Sequence, residues 1–476
     1  MKKIISRITN HKPLPWGGVG VGLLLLCLTS CGVYNKYERP DVNTQGLVRD
    51  AVNDRDTLVV QDTASFGNLP WREVFTDPQL QSLIEQGLQK NANLQNAVLT
   101  VQMYETMLKA ARLAFLPAVT FGGTSPMGTI ATTYTDPSVT TKSYSIPVTA
   151  SWTLDLFGNI LSQKRSTQMK LLGMKDYQMA VRAQVVSGIA NCYYTLLMLD
   201  RQLEIVTEMS KMSKETWEMM KMQYKLGRMR STSVQSAEAA YLSTQTQAND
   251  FRRQIRATEN ALSLLIGQQG QYIPRSTLEA QSLPSHFTTG VGVALLKNRP
   301  DVHNAEMQLA ACFHDVQTAR SQFYPNVTVG ASAAFSNGNG ALNPGKWLTT
   351  LFGSLTQPIF MRGALTANLK VTQLQYEQAY NTWQNAILQA GNEVSNALVN
   401  YNGYDANSKL EEQRVAVLKQ NVEDTKQLYQ SKGGSYLEVL TAQTQLLSAQ
   451  LSKITDDFNK MQSVVSLYTA LGGGGK

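Results

Sequence analysis

The sequence predicts a mixed α/β chain that is internally duplicated, with four β-strands and long antiparallel helices. Three observations carry this prediction. The sequence repeats with a period near 205 residues, long intervals lack proline and favour helix, and short segments alternate apolar with polar residues. Strands of this length and pattern are typical of the outer membrane, so the fold class predicted is a mixed α/β membrane protein.

The first 30 residues are predicted to be a lipoprotein signal peptide. Four basic residues precede an apolar stretch at residues 17–28 that is too short to span a bilayer. Leu28-Thr29-Ser30-Cys31 has the form of a lipoprotein processing site, so the mature chain is predicted to begin at Cys31 and to carry lipid there. Residues 31–64 form the lipidated N-terminal segment. The alternative is an ordinary cysteine that follows a signal peptide.

Charge gives no indication of a nucleic acid partner, and the two cysteines that remain could pair in an exported protein but need not. Without the signal peptide the chain has 39 basic and 35 acidic residues, a net charge of +4. No cluster of lysine or arginine lies among stacking aromatic residues, so no nucleic acid partner is expected. Cys192 and Cys312 lie in different halves, and a chain of this size buries enough core without a disulfide. Both are predicted to be buried small apolar residues.

The repeat divides the mature chain into two copies of one unit. Residues 111–119 recur as residues 319–327, Phe157 matches Phe360, and Ile266-Gly267 matches Leu471-Gly472. The offsets between them are 208, 203 and 205 residues, and loop insertions explain the drift. The predicted boundaries are 65–267 for the first repeat, 268–297 for the linker and 298–476 for the second repeat.

Each copy is predicted to contain a long helical hairpin. No proline occurs in residues 148–273 or 359–476, which are rich in helix-favouring residues. A helix from Asn159 to about Leu226 would be roughly 100 Å long, with a partner that returns from Ser231. Gly227, Gly433 and Gly434 lie where the chain must turn, and turn chemistry alone would explain them.

One face of the last helix is predicted to form a coiled-coil seam. Ten residues alternate steps of three and four for more than four heptads. They are Leu437, Leu440, Thr444, Leu447, Leu451, Ile454, Phe458, Met461, Val465 and Tyr468.

Each copy is also predicted to contribute one β-hairpin. Residues 143–154 and 326–335 alternate apolar with polar side chains, and residues 118–124 and 347–357 would be their partners. Four strands cannot close a barrel, and lipid offers no hydrogen-bond partners to an open edge. Several chains must therefore supply strands to one barrel, or the strands form a soluble antiparallel sheet with one wet face.

Four segments resemble one known family across nearly the whole mature chain. They are Trp71-Arg-Glu-Val-Phe-Thr-Asp-Pro-Gln-Leu80, Trp152-Thr-Leu-Asp-Leu-Phe-Gly158, Gln357-Pro-Ile-Phe360 with Gly363, and Asn298-Arg-Pro-Asp-Val302 with Ala305-Glu306. Together they resemble the outer membrane factors of tripartite efflux systems, the TolC family, in its lipoprotein branch.

The resemblance implies a homotrimer in the bacterial outer membrane. Each subunit would give four transmembrane strands to a 12-stranded β-barrel, continued into the periplasm by an α-helical coiled-coil tunnel. The helical tips would meet a periplasmic adaptor protein that couples the channel to an inner membrane transporter. The matching tip residues are Tyr224, Gly227, Tyr429, Gly433 and Gly434. The chain would then be a passive exit duct for small molecules.

The resemblance also implies a constriction near the periplasmic end. Glu438 is the acidic residue at that place, whereas a neighbouring position that is often acidic in the family is Thr441 here. Three copies of Glu438 would form a ring that favours cations. The alternative is a solvated glutamate on a helix, because charged side chains usually face water.

Nothing in the sequence indicates an enzyme. His286, His303 and His314 follow the signal peptide without the spacing of metal ligands, and neither a nucleophile elbow nor a phosphate-binding loop is present. No cofactor is predicted apart from covalent lipid on Cys31. Two other functions stay open, which are an outlet for secreted polypeptides and a lipid-anchored coiled-coil scaffold that conducts nothing.

Overall fold

A computed structural model describes residues 36–41, 66–67, 69–121, 131–136, 139–143, 145–282, 299–336, 346–431 and 434–475. Cys31, His286 and Gly433 lie outside these residues. The chain divides into two compact units. The strand unit comprises residues 1–40, 110–166 and 312–374, and the helical unit comprises residues 41–109, 167–311 and 375–476.

The helices are α1 Trp71–Val74, α2 Pro78–Lys90, α3 Ala92–Leu113, α4 Asn159–Lys225, α5 Ser231–Leu265, α6 Pro300–Ser321, α7 Ala364–Gln430 and α8 Tyr436–Ala470. The strands are β1 Ala118–Phe121, β2 Ala131–Asp136, β3 Val139–Ser143, β4 Ser145–Leu154, β5 Asn326–Ser336 and β6 Lys346–Thr356. Within the described ranges, none of the helices is both long and apolar enough to cross a membrane.

The predicted duplication holds at the level of whole helices. The first long helices, α4 and α7, have 67 residues each, and the returning helices, α5 and α8, have 35 each. Both pairs are offset by 205 residues along the chain, so the helical hairpins match end to end. The same offset aligns Tyr224 with Tyr429 and Gly227 with Lys432.

The duplication extends to single hydrogen bonds. Asn91, which precedes α3, donates its side-chain amide to the carbonyl of Leu265 at the end of α5, with 2.9 Å between the atoms. Arg299, which precedes α6, donates from Nη1 to the carbonyl of Ala470 at the end of α8, also at 2.9 Å. In each copy, therefore, the residue before α3 or α6 donates to a carbonyl at the end of α5 or α8, respectively. Such a carbonyl has no hydrogen-bond partner within its own helix.

The segment from Trp71 to Leu80, which carries part of the family resemblance, contains a hydrogen-bonded carboxylate at Asp77. Asp77 caps α2 by accepting from the backbone N–H of Gln79, and Pro78 takes the first helical position, where it needs no hydrogen-bond donor. The Asp77 carboxylate also accepts from Tyr193 at 2.7 Å and from Ser276 at 2.5 Å. Burial alone would raise the pKa of Asp77, but these hydrogen bonds outweigh it and lower the pKa.

The predicted seam on α8 is confirmed only in its C-terminal part. Ile454, Phe458, Val465 and Tyr468 are buried in the core of the helical unit. Near the tip, however, Leu437 is 67% exposed and Thr444 is also exposed. The buried residues there are Val439, Ala442 and Leu446, each two positions further along the chain. Within one chain, the predicted seam therefore packs only toward the C-terminal end of α8, and its positions near the tip are exposed on the single chain.

The strand unit contains a four-stranded antiparallel sheet in the order β1-β4-β5-β6. Strands β1 and β6 are the predicted hairpin partners of β4 and β5. Strand β4 begins at Ser145, two residues later than predicted. The prediction of four strands was incomplete, because β2 and β3 pair with each other in a separate two-stranded sheet. Their threonine-rich sequences lack a clear apolar alternation, so periodicity did not reveal them.

Candidate functional site

The four-stranded sheet has one apolar and one hydroxyl-rich face. The strand register aligns apolar residues across all four strands, namely Val119, Phe121, Val148, Ala150, Trp152, Leu154, Val327, Val329, Ala331, Ala333, Trp347, Leu351 and Leu355. The other face carries Thr120, Thr149, Ser151, Thr153, Thr328, Ser332, Thr350 and Ser354. A sheet of this kind can separate lipid from water.

Aromatic residues lie near both ends of the strands. Trp152 is next to the helix-proximal end of β4, and its Nε1–H donates to the carbonyl of Phe115 at 2.9 Å. Just beyond that end, Phe157 stacks on Tyr324 with 4.9 Å between ring centroids. Trp347 lies at the opposite end of the sheet and is 64% exposed. Two such aromatic levels are typical of strands that cross a bilayer, because these rings favour its interfaces.

One aromatic side chain lies on the hydroxyl-rich face. The ring of Phe352 packs over Gly330 so closely that a Cβ at position 330 would collide with it. The same Cβ would lie 2.7 Å from the backbone carbonyl oxygen of Ala150 on β4, so the close approach of the neighbouring strand favours glycine at this position.

The tip between α4 and α5 is formed by Leu226 to Arg230. Gly227 has a φ of 70°, which glycine adopts without strain, and a Cβ there would meet open space. Glycine is therefore needed at position 227 for its backbone conformation and not for lack of space. Tyr224, the other predicted tip residue on this hairpin, is 49% exposed. Helix α5 begins after Arg230 without a side-chain hydrogen bond to its first turn.

The tip between α7 and α8 has a different structure. Ser435 and Glu438 form a capping box, in which the Ser435 hydroxyl accepts from the N–H of Leu437 and the Glu438 carboxylate accepts from the N–H of Ser435, both at 3.2 Å. The rings of Tyr429 and Tyr436 meet edge to face at 6.4 Å, and burial, with Tyr429 nearby, raises the pKa of Tyr436 to about 12. Gly434 packs closely against Leu428 and Tyr429.

The capping box gives Glu438 a structural contact that the sequence analysis missed, although the spacing of Ser435 and Glu438 is a recognised N-terminal signal. The Glu438 side chain is also exposed, so both the helix cap and a role in a ring remain compatible with its position. The ring stays a prediction.

The two described histidines make structural contacts. His303 Nδ1 lies 2.6 Å from the carboxylate of Asp176. His314 is buried, and burial followed by the charge of Arg165 lowers its pKa to about 4. In the part of the chain that the structure describes, no three His, Cys, Asp or Glu side chains are grouped as they would be around a metal ion. Cys192 and Cys312 are half-buried, less than the sequence analysis predicted.

Two buried arginines are the main residues that the sequence analysis missed. Arg299 bonds to Asp301 and Glu393 as well as to Ala470. Burial alone would lower the pKa of Arg299, but the two carboxylates outweigh it and raise the pKa. Arg275, in the stretch after α5, is also held by two carboxylates, those of Asp200 and Glu259. The Asn298-Arg-Pro-Asp motif pointed to Arg299, whereas nothing nearby in the sequence marks Arg275.

Comparison with known proteins agrees with this arrangement of strands and helices. The family model for outer membrane efflux proteins matches residues 83–268 and 291–473. The cation efflux system protein CusC of Escherichia coli O157:H7 is 27% identical over 460 residues, which cover 94% of this chain and 97% of CusC. The solvent efflux pump outer membrane protein SrpC of Pseudomonas putida is 30% identical over 462 residues, with the same two coverages.

Solved structures show the same fold. The Campylobacter jejuni CmeC outer membrane channel has a TM-score of 0.81 at 21% identity, over 93% of this chain and 95% of that one. The Neisseria gonorrhoeae MtrE outer membrane channel has a TM-score of 0.78 at 24% identity, over 93% and 98% of the two chains. The family model covers well over half of the sequence, and the chain therefore belongs to the outer membrane efflux protein family.

Proposed function

We propose that three copies of this outer membrane efflux channel protein close one 12-stranded barrel, and that their helical hairpins form a tunnel into the periplasm. The observation that carries the proposal is the open sheet with one apolar face. Strands β1 and β6 lie at its two edges, and each pairs with one neighbour only among the described strands. Backbone groups at such edges find no partners in lipid, so other copies must supply them.

The family's helical tips suggest the partners. We propose that Tyr224 and Gly227 on the first hairpin, with Tyr429, Gly433 and Gly434 on the second, contact a periplasmic adaptor. The adaptor would connect the channel to an inner membrane transporter that supplies the energy. The exposure of Tyr224 and the positive φ of Gly227 support an accessible turn there. The chain itself would be a passive conduit, and its proposed role includes no catalytic step.

The cargo is proposed to be small molecules. CusC is named for cation efflux and SrpC for solvent efflux, so the small-molecule cargo of relatives favours this class over secreted polypeptides. The relatives differ in cargo at similar identity to this chain, which leaves the chemical class of the molecule to experiment.

The anchor is proposed to be lipid on Cys31. The ring of Tyr37 meets that of Phe313 edge to face at 5.8 Å, and both residues belong to the strand unit. Tyr37 is six positions after Cys31 in the sequence, and a chain of that length can extend over about 20 Å. Phe313 precedes the start of β5 by 13 residues, eight of them in helix, so a lipid on Cys31 is within reach of the membrane boundary proposed at the base of the strands.

Single-channel recording tests the conduit. Purified lipoprotein in a planar bilayer is expected to give discrete cation-selective openings, and Glu438→Gln is expected to make them less selective because it removes three charges from the proposed ring. Glutamine can still accept the capping hydrogen bond from Ser435, so this variant keeps the helix start, whereas Glu438→Ala removes both charge and cap.

Each result has a definite meaning. Openings with unchanged cation selectivity in Glu438→Gln would support the proposed channel but contradict the proposed ring of Glu438 side chains. A protein that neither forms a membrane-inserted oligomer nor conducts would favour the lipid-anchored scaffold. Conductance that appears only after an adaptor is added would support a channel that its partner opens.

Loss of the Cys31 thiol is expected to abolish lipidation. Intact-mass measurement of the wild-type protein should give a chain that starts at residue 31 with added acyl mass, and Cys31→Ser should lack that mass. Cys27→Ser is the matched control, because position 27 lies inside the segment that is removed. A wild-type chain without acyl mass would show that Cys31 is an ordinary cysteine.

A further inference from the structure

The tip of the first helical hairpin carries unbalanced positive charge. Residues 219–237, here termed the basic tip, contain four basic residues and no acidic ones, namely Lys221, Lys225, Arg228 and Arg230. The equivalent residues 424–442, here termed the neutral tip, contain two basic and two acidic residues. Because the two hairpins match in helix lengths and offset, the two tips occupy equivalent places and their side chains can be compared position by position.

The charges of the basic tip are available to a partner. All four basic side chains are exposed, and the described residues provide no carboxylate within ion-pair distance of them. On α4, the ion pair between Lys214 and Glu218, at 3.9 Å, lies further from the turn than the four basic residues. Lys221 has its ammonium 5.2 Å from the ring centroid of Trp217, a cation–π contact that keeps its positive charge.

Helix stability does not account for Arg230. It comes directly before α5, where the partial positive charge of a helix N-terminus disfavours cations, whereas Arg228 lies closer to the end of α4. Arg230 occupies the cap position but offers the first turn no acceptor. On the neutral tip, the equivalent place is taken by Ser435, whose hydroxyl caps α8 with help from Glu438. Arg230 therefore acts against the local fold, and a contact made by the tip explains its presence.

Apolar side chains lie between the basic ones. Met222 is 67% exposed and Leu226 is 62% exposed, although both side chains are large and apolar. A surface that combines exposed apolar groups with cations is complementary to a protein surface that combines apolar groups with carboxylates.

We propose that the basic tip docks a carboxylate-bearing surface of the periplasmic adaptor, and that the neutral tip makes a contact that depends little on charge. The inference rests on the proposed function, because it assumes that the tips meet an adaptor. It adds that the partner's surface bears carboxylates. It also adds that the two tips of each subunit make unequal contacts, of which only the one at the basic tip depends strongly on charge. Anionic lipid is the other partner that a basic, apolar surface could bind, and the experiment separates the two.

The partner is first identified in cells. A photo-crosslinking amino acid replaces Met222 on the basic tip or Leu428 on the neutral tip, and the periplasmic protein captured from the Leu428 position is purified. Its affinity for the detergent-solubilised full-length channel is then measured at 50 and 300 mM NaCl. The variant is Arg228→Gln/Arg230→Gln, and the control is Arg252→Gln/Arg253→Gln, two exposed arginines that lie more than 20 residues along α5.

The tip variant is expected to weaken binding about tenfold at 50 mM NaCl and to reduce the loss of affinity between the two salt concentrations. The control should stay within about twofold of the wild type, since its charges lie well beyond a Debye length from the tip. Unchanged affinity and unchanged salt dependence in the tip variant would overturn the inference while the proposed docking stood. Failure of both positions to capture a periplasmic protein would instead contradict the docking in the proposed function.

A vesicle assay completes the test. Full-length channel held in nanodiscs, which leave the tips accessible, is mixed with vesicles of phosphatidylethanolamine and phosphatidylglycerol in a 7:3 ratio. Co-sedimentation is compared for the wild type and Arg228→Gln/Arg230→Gln. Equal, low co-sedimentation of both proteins is expected. Strong binding of the wild type that the variant loses would assign the basic tip to anionic lipid and overturn the inference.

Discussion

Arginine at position 331 is expected to abolish assembly of the protein as an oligomer in the outer membrane. Ala331 lies in the middle of β5 on the apolar face, between Ala150 of β4 and Leu351 of β6. A charged side chain facing lipid at the bilayer midplane costs about 2–4 kcal/mol per chain, and three chains would share one barrel. Membrane fractions analysed by gel electrophoresis without heating should lack the oligomer band of the wild type.

The neighbouring residue provides the matched control for Ala331→Arg. Ser332 lies on the hydroxyl-rich face, where its partners in the register are Thr149 and Thr350. Ser332→Arg therefore adds the same charge to the same strand, but on the face proposed to line water, and is expected to assemble. Equal amounts of oligomer from the two variants would mean that both faces meet the same environment, as they would in a soluble sheet.

The four-stranded sheet could be predicted because a single physical rule determines its pattern. A strand between lipid and water must alternate apolar and polar residues, and residues 145–154 and 326–336 do so almost without exception. Strands β2 and β3 form a separate pair and their sequences show no such alternation. Periodicity therefore could not indicate them, and the register between β4 and β5 needed the structure because these strands come from different copies.

The helices and tips were predictable to different degrees. Proline-free intervals and turn glycines set the ends of α4 and α5 to within about two residues. Near the tip of α8, Leu437 and Val439 are both apolar, so spacing alone could not decide which of them packs within the chain. The capping role of Glu438 could be predicted from Ser435 three positions earlier, because the two residues have the spacing of a capping box.

Arg275 shows what sequence reasoning could not reach. It lies in the stretch predicted as an inter-repeat linker, yet its side chain is 6% exposed and joins α4 to α5 through two carboxylates. The guanidinium bonds to Asp200 at 2.5 and 3.0 Å, to Glu259 at 2.8 Å and to the carbonyl of Ile273 at 2.9 Å. Asp200 precedes Arg275 by 75 residues, so only the folded chain brings them together. Burial alone would lower the pKa of Arg275, but the carboxylates outweigh it and raise the pKa.

Arg275→Met is expected to destabilise the helical unit strongly. Methionine replaces the packing volume but leaves the Glu259 carboxylate, which is 3% exposed, without its closest partner. Arg256 remains 3.6 Å away, but its side chain is 71% exposed and water screens its charge. Removal of one member of a buried ion pair costs about 3–5 kcal/mol. The loss should appear as a decrease of roughly 5 °C or more in the midpoint of thermal unfolding, followed by helical circular dichroism.

The reason for the loss can be separated from simple damage to the core. If the cost comes from an unpaired buried carboxylate, then Arg275→Met/Glu259→Gln should unfold at a higher temperature than Arg275→Met alone, because the double variant removes the stranded charge. Arg253→Met breaks an exposed pair with Asp250 on the same helix, and surface pairs contribute about 0–1 kcal/mol, so this control should match the wild type. A double variant less stable than Arg275→Met would show instead that Arg256 and water stabilise the Glu259 carboxylate sufficiently without Arg275. Arg275 would then contribute chiefly through its bonds to Asp200 and Ile273.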